Sequence, residues 1–271
     1  MYKKYLINLL YYILGIILLG VIYEIIVLIK NDINFTPQFD DIFKSFFNLL
    51  GDINTYKGVL NTIKNVLISV FISFSIALIF AVIAYRFNVI HKILHPMMMI
   101  LRFIPIIILI NIIWFILAMK HKDYVLYLSV FSMLFPMIYE TIYQGLKSID
   151  KIYIDAYKIY SNTTPFIVYK VYMPLVFNSI KGSLLNALGL GIKIALSCEF
   201  ILGMRETLGY LIQGEVRNGY GFEVLYAYIL ILIIVSVILE LIPLVLALIY
   251  GKISKERAKK RFFDYGCKTK D

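Results

Sequence analysis

Charged residues are scarce in this sequence. Asp, Glu, Lys and Arg make up 16% of its 271 residues, whereas soluble domains carry about 25%. The apolar residues, 61% of the chain, are gathered into long runs. This composition excludes a separate soluble domain of any size and indicates a protein that crosses a membrane several times.

Cysteine is almost absent as well. Cys198 lies inside an apolar run and Cys267 near the C-terminus, so they match no metal spacing and we expect two free thiols. His91 and His95 are four residues apart, but no cysteine or carboxylate accompanies them, so we predict no metal site. The phosphate-binding pattern GxxxxGK followed by Ser or Thr is also missing, and we expect no cofactor on this chain.

Six apolar runs are long enough to cross the hydrocarbon core as helices, which takes about 20 residues. The first run is too long for a signal peptide and lacks a small-residue cleavage site, so we predict that it is a retained span. The sequence therefore predicts an all-α membrane protein. The predicted spans are 6–29, 59–84, 96–118, 124–145, 183–203 and 222–249.

Basic residues set the predicted orientation. With both termini in the cytoplasm, 17 of the 27 Lys and Arg residues face the cytoplasm and 8 face outside, in agreement with the positive-inside rule. The net charge of +10 then reflects topology and contact with anionic lipid, and we expect no nucleic-acid partner. The chain divides into a first span with an external segment (1–58), a core (59–249) and a basic cytoplasmic tail (250–271).

The external segment contains the run DIFKSFFNLLGD, from Asp41 to Asp52. Two interpretations stay open for it. It is either a short amphipathic helix on the outer membrane face or a plain loop with a few buried aromatic side chains.

The longest cytoplasmic connection, 146–181, has helical periodicity. Apolar residues recur at intervals of three and four between 152 and 160, and Ser148 is suited to capping that helix. The run Ser161-Asn162-Thr163-Thr164 interrupts the pattern and can cap a second helix, and Pro174 marks the next boundary. Such a pair of helices packs on the membrane domain, lies on lipid or docks a partner. Periodicity alone does not distinguish between these three roles.

The spacing within this connection resembles the EAA signature of binding-protein-dependent ABC importer permeases. That signature runs Glu-Ala-Ala, three residues, Gly, nine residues, Ile-x-Leu-Pro. Here Asp155-Ala156-Tyr157, Ser161 and Val171-Tyr172-Met173-Pro174 stand at the same intervals. Asp replaces Glu, Tyr replaces the second Ala, and Ser replaces the Gly.

Two further stretches resemble the same family. LRFIPIIILINIIWF (Leu101–Phe115) looks like the family's span that contains arginine–x–x–proline and a later tryptophan. Pro96 matches the proline that opens this span. GLGIKIALSCEFILGMRETLGYLI (Gly189–Ile212) resembles the segment with a lysine, a glutamate and a Gly-Leu-Gly-Tyr-like close. The combination looks most like the nitrate/sulfonate/taurine-type branch, which includes carriers of thiamine precursors.

The resemblance implies a type I ABC importer permease, a transport subunit and not an enzyme, in the plasma (inner) membrane of a bacterium. Two copies would form the pore. Each copy would dock an ATPase subunit that carries ATP and Mg, and an extracytoplasmic binding protein would deliver the solute. The residues implied for ATPase docking are Asp155, Ala156, Ser161 and Pro174, to which we add Tyr160 and Phe166 as aromatic anchors.

Four charged residues inside the spans are candidates for the translocation path, because intramembrane charges usually face water or the protein interior. They are Arg102, Lys193, Glu199 and Glu240. For each, the alternative is a structural ion pair, and Arg102 has Glu240 or Glu140 as possible partners. Lys193 would suit an anionic solute, and its six-residue separation from Glu199 places the two on different helix faces.

Three other functions stay open at this point. An ion-coupled secondary transporter often shows two similar halves with interrupted helices, and we find no such repeat. A membrane enzyme would need a nucleophile beside a base, or carboxylates at metal spacing, and neither is evident. A membrane assembly protein without transport would keep both the spans and a docking loop.

Overall fold

The structure is a computed structural model that describes residues 20–29, 36–150, 173–219 and 222–242, with isolated positions at 11, 14–15, 18, 152, 155 and 245. Every regular element in these residues is an α-helix, as predicted. In chain order the helices are α1 (Gly20–Ile29), α2 (Phe39–Leu50), α3 (Ile53–Arg86), α4 (Asn88–Phe103), α5 (Ile106–Ile116), α6 (Lys122–Lys147), α7 (Met173–Leu202), α8 (Leu208–Asn218) and α9 (Phe222–Ile242).

Four of these helices, α3, α6, α7 and α9, are long and apolar enough to cross a membrane. The pair α4 and α5 passes the same test together, so the described residues hold up to five spans. α1 covers part of the predicted first span, 6–29, and most of the rest of that run lies outside the described residues. The count of six spans therefore stays a prediction.

The predicted span 96–118 is wrong as a single helix, because α4 and α5 are bent by 106° at their junction. Ile104 is extended there, with φ −75° and ψ 121°, and Pro105 follows with φ −58° and ψ 135°. Proline has no N–H to continue a helix, and its ring disfavours a helical residue before it. Pro96, expected to open the span, lies inside α4.

α3 presents a stripe of small side chains to the core. Its members recur every three or four residues and so share one face, where small residues let helix backbones approach closely. α3 packs there against α6 and α7. Ser69 and Ser73 each donate to the carbonyl four residues earlier at 2.7 Å, which satisfies both hydroxyls. The stripe is Thr55, Gly58, Thr62, Asn65, Ser69, Ser73, Ala77, Ala81 and Ala84.

α6 and α7 complete the core. They are close at Gly145, where an added Cβ would come within 2.5 Å of Ser179 Oγ. α7 starts well before the predicted span 183–203, because Asn178, Ser179, Lys181 and Gly182 interrupt the apolar sequence of the helix without ending it. Pro174 is its second residue, in the first turn, where a missing N–H costs no helical hydrogen bond.

The N-terminal ends of α3 and α6 meet the C-terminal end of α7 at the predicted outer side. Asn61 Nδ2 donates to the Glu206 carbonyl at 2.8 Å, and Lys122 Nζ donates to the Gly203 carbonyl at 3.1 Å. α8 starts beside these contacts, capped by the Thr207 hydroxyl. α2 covers most of DIFKSFFNLLGD, so the helix of the first interpretation is confirmed, and its place on the outer membrane face stays a prediction.

Candidate functional site

A line of polar and small residues runs along α7. Asn186, Gly189, Lys193 and Ser197 follow one another at intervals of three and four, which places them on one helix face. Asn186 and Lys193 are exposed in the single chain, and Ser197 Oγ donates to the Lys193 carbonyl at 2.9 Å. The opposite side of α7 packs into the apolar core. A face of this composition is poorly suited to contact with lipid tails.

α9 lies across a cleft from this line. Gly189 leaves the space that the Glu240 carboxylate occupies, because a Cβ at Gly189 would come 2.5 Å from Glu240 Oε1. The cleft is an open cavity of about 500 Å³, within the range of small-molecule sites. Its lining is Met137, Leu185, Asn186, Gly189, Leu190, Lys193, Val237, Glu240 and Leu241.

Lys193 and Glu240 bring opposite charges to the walls of this cavity. Both are exposed in the single chain, and the ion pairs found among the described residues do not join them. A charge within a span is costly unless it faces water or protein. The open side of the cavity therefore requires an aqueous or protein neighbour.

Glu199 lies apart from the cavity and is fully buried. Its carboxylate accepts hydrogen bonds from Thr62 Oγ1 at 2.7 Å, Asn65 Nδ2 at 3.0 Å and the Gly209 N–H at 3.3 Å. Thr62 in turn accepts the Leu208 N–H at 3.0 Å. The carboxylate thus ties α3, α7 and α8 together, and we assign it to the architecture of the protein and not to the path.

Thr62 and Asn65 were not expected from the sequence to take part in a site. The signal was nevertheless present, because with Ser69 they form a polar stripe at helical intervals inside an apolar span. Asn186 and Gly189 were missed in the same way, although both share a helix face with Lys193. Uncharged polar and small residues at helical spacing mark a non-lipid face as well as charges do.

Arg102 forms neither of the ion pairs considered from the sequence. Its guanidinium donates to the Pro136 carbonyl at 2.8 Å and connects α4 to α6. Glu140 lies 3.6 Å from His95 Nδ1, and Glu240 lies in the α7–α9 cleft. Similar depth in the membrane did not bring the predicted partners together, because helix rotation, which the sequence does not give, decides the pairing.

A comparison with protein families finds a match over residues 62–251, well over half of the chain, which includes the whole cavity and the hydrogen bonds of Glu199. The family is described as "Binding-protein-dependent transport system inner membrane component". The chain belongs to this family. It is therefore a membrane-spanning transport subunit, as the resemblance implied.

The fold of this transport component is similar to that of a solved structure, the MetNI methionine ABC transporter in inward-facing conformations. The TM-score is 0.59 at 21% identity, and the match covers 69% of this chain and 92% of the other. At this identity the likeness shows the fold alone, which is the predicted type I ABC importer permease fold. No curated protein sequence matches the chain.

Family membership does not test the finer predictions for this transport component. The match does not separate the nitrate/sulfonate/taurine-type branch from others, so that assignment stays a prediction. The tail 250–271 lies outside the described residues.

Most of the predicted ATPase-docking residues of the transport component lie outside the described residues. These are Ala156, Tyr160, Ser161 and Phe166. Asp155 is described and is helical, and Pro174 belongs to the first turn of α7. Their docking role stays a prediction.

The start of the docking connection differs from the expected cap. Ser148 ends α6 and donates to the Gly145 carbonyl at 2.9 Å. Asp150 Oδ1 accepts the Ile152 N–H at 3.1 Å, which is the bond of a capping residue. The cap of the following helix is therefore Asp150, since Ser148 is already used by the preceding one.

Proposed function

We propose that this chain is the permease subunit of an ATP-driven ABC importer in the plasma (inner) membrane of a bacterium. The observation that carries the proposal is the α7–α9 cavity, which places Lys193 and Glu240 opposite each other within otherwise apolar spans. A cavity of this size suits a small solute. Membership of a transport family supports a role for this cavity in transport.

A second copy of the chain faces the cleft, and the translocation path runs between the two copies. The exposure of Asn186, Lys193 and Glu240 in the single chain supports this arrangement, because lipid would leave these groups unsolvated. Movement of one copy against the other then opens the path to either side of the membrane.

The solute is a small anion of the nitrate, sulfonate or taurine type, or a compound resembling a thiamine precursor. Lys193 attracts an acidic group, and Glu240 on the opposite wall favours a group of positive charge. Among these classes an aminosulfonate such as taurine fits best, because it carries one charge of each sign.

ATP hydrolysis takes place on a separate ATPase subunit, which holds ATP and Mg and docks on the connection 146–181. Asp155, Ala156 and Ser161 contact it there, as the EAA resemblance implies. A binding protein or lipoprotein delivers the solute at the outer end of the spans. This division of labour accounts for a connection far longer than the usual link between two helices.

Uptake of labelled taurine into proteoliposomes that contain permease, ATPase and binding protein tests the path. Lys193→Gln should lower ATP-driven uptake about tenfold, which corresponds to ~1.4 kcal/mol of lost interaction. Lys92→Gln is the matched control, because Lys92 is an exposed lysine of α4 outside the cavity. Equal uptake by the two variants would remove Lys193 from the path, and uptake that follows an ion gradient without ATP would favour a secondary transporter.

Gly189→Ala tests the same path through Glu240, which lies on the opposite wall. The added methyl group would meet the flexible end of Glu240, so the carboxylate is displaced while the helices stay in place. Gly182→Ala is the control on the same helix, because nothing lies within 4 Å of its Cβ position. In the uptake assay only Gly189→Ala should lose transport, and the two variants should have the same thermal midpoint.

A further inference from the structure

The surface of α2 is divided into three sectors. At 100° per residue, Ile42, Phe46 and Leu49 fall in one sector, and Phe43, Phe47 and Leu50 fall in the next. The remaining sector is polar and holds Asp40, Asp41, Lys44, Ser45 and Asn48. α2 lies outside the family match at 62–251, so the family's common core does not account for this pattern.

The first sector fixes α2 to the rest of the molecule. Ile42 is 4% exposed, and Phe46 and Leu49 pack against the core. At the start of the helix the ring of Phe39 lies 5.1 Å from the ring of Tyr23 on α1. The position of α2 is therefore set by packing, and so is the direction in which the second sector points.

The second sector is apolar and uncovered. Phe43 is 50% exposed, Phe47 66% and Leu50 39%. Around the circumference of the helix, this apolar strip lies between the sector that contacts protein and the polar sector that faces water. This order is that of a helix seated at a membrane–water boundary.

The apolar strip continues onto the outer end of α3. Tyr56 Oη donates to the Leu50 carbonyl at 2.6 Å and joins the two helices. Beyond it Ile53 is 67% and Leu60 66% exposed. Because α3 is the most apolar of the four single-helix spans, its exposed side chains face lipid, and the α2 strip is an extension of that lipid-facing surface.

Tyrosines mark the level of α2 in the membrane. Tyr23 on α1 donates to the Pro37 carbonyl at 2.8 Å, and its ring lies 5.7 Å from that of Tyr226 at the start of α9. Tyr56 and Tyr226 stand near the outer ends of α3 and α9, and Tyr23 lies six residues before the outer end of α1. Tyrosine is enriched at membrane–water interfaces, where its ring is buried and its hydroxyl stays hydrated.

We propose that α2 is an interfacial helix whose strip Phe43–Phe47–Leu50 inserts into the lipid of the outer leaflet. Its occupant is lipid, not a protein. Asp40, Asp41, Lys44 and Asn48 face the water. The helix supports the outer ends of α1 and α3 against the bilayer surface, independently of which solute the permease carries.

Tryptophan scanning in brominated lipid tests this placement, because the chain has a single tryptophan. In a Trp114→Phe background, Phe47→Trp places the reporter on the strip and Asn48→Trp places a matched reporter on the polar sector. In bilayers of lipids brominated on their acyl chains, we expect Phe47→Trp to be quenched at least about twofold more strongly than Asn48→Trp. Its emission should also be blue-shifted, and acrylamide should quench Asn48→Trp preferentially.

Two results would overturn the proposal. Equal quenching of the two reporters by brominated lipid would show that the strip does not enter the bilayer. A Phe47→Trp reporter protected from both brominated lipid and acrylamide would show that a protein, either a second copy or a binding protein, covers the strip. Phe43→Trp is a second reporter on the same strip and must behave like Phe47→Trp, which guards against a local disturbance by one substitution.

Discussion

Glu199 connects three helices through three donors, so its replacement has consequences that depend on what remains in the space. Glu199→Ala leaves the Thr62 hydroxyl, the Asn65 amide and the Gly209 N–H buried without their acceptor. Each unsatisfied group costs about 1–3 kcal/mol, and we expect a loss of at least ~3 kcal/mol in the free energy of unfolding. Chemical unfolding of the purified permease in detergent micelles measures it.

Glu199→Gln is the matched variant, because it keeps the shape and one accepting oxygen. Asn65 can turn its amide to present an oxygen to the new nitrogen, so we expect a cost of only about 1 kcal/mol. If Glu199→Ala proves as stable as Glu199→Gln, the carboxylate does not hold α3, α7 and α8 together.

At the level of single residues, the sequence indicated which positions are unusual but not which of them meet. Lys193 and Glu240 were identified because they are charges in apolar runs, and the six-residue interval placed Lys193 and Glu199 on different faces. Their different surroundings, a cavity and a buried cluster, depend on the packing of α9 and α3 against α7. Arg102 shows the limit most clearly, since its acceptor is the backbone carbonyl of Pro136, which no residue pattern reveals.

At the level of elements, hydropathy predicted which segments are helices more accurately than it predicted where each helix begins and ends. α6 differs little from the predicted 124–145, because both of its ends coincide with the ends of an apolar run. α7 starts ahead of its longest apolar run, because the polar residues between Asn178 and Gly182 divide the run without ending the helix. Proline removes a helical hydrogen bond, but Pro96 and Pro136 lie inside helices, so the break at Pro105 and its 106° bend depend on how α4 and α5 pack.

The small-residue stripe of α3 gives a prediction for a whole helix face. Ala81 is fully buried in it, so Ala81→Leu forces α3 away from its neighbours and should cost about 1–3 kcal/mol of unfolding free energy. Val82, at the adjacent position, is 46% exposed, so Val82→Leu should leave stability nearly unchanged. Thermal unfolding of both variants in detergent distinguishes them, and an equal melting temperature would show that the stripe is not tightly packed.

At the level of the whole molecule, α7 has one side that packs into the fold and another that faces the cavity. One of its sides is bound through Glu199 to α3 and α8, and another lines the cavity with Lys193. Its first turns, from Met173, form the last part of the predicted docking connection 146–181. Under the proposed function, a displacement at the cytoplasmic end would move the cavity wall together with α7, and ATPase motion would reach the solute in this way.

That coupling predicts a separation between assembly and insertion. Ala156→Asp adds bulk and an unpaired charge where the EAA resemblance implies close contact with the ATPase, and such burial is strongly unfavourable. We expect at least ~tenfold less ATPase to co-purify with this variant, with uptake lost and the permease still in the membrane. Ala118→Asp makes the same change in the exposed turn before α6, at the opposite end of that helix, and should retain the ATPase. Recovery of a normal complex from Ala156→Asp would place the ATPase contact elsewhere than 146–181 and break the proposed route from ATP to α7.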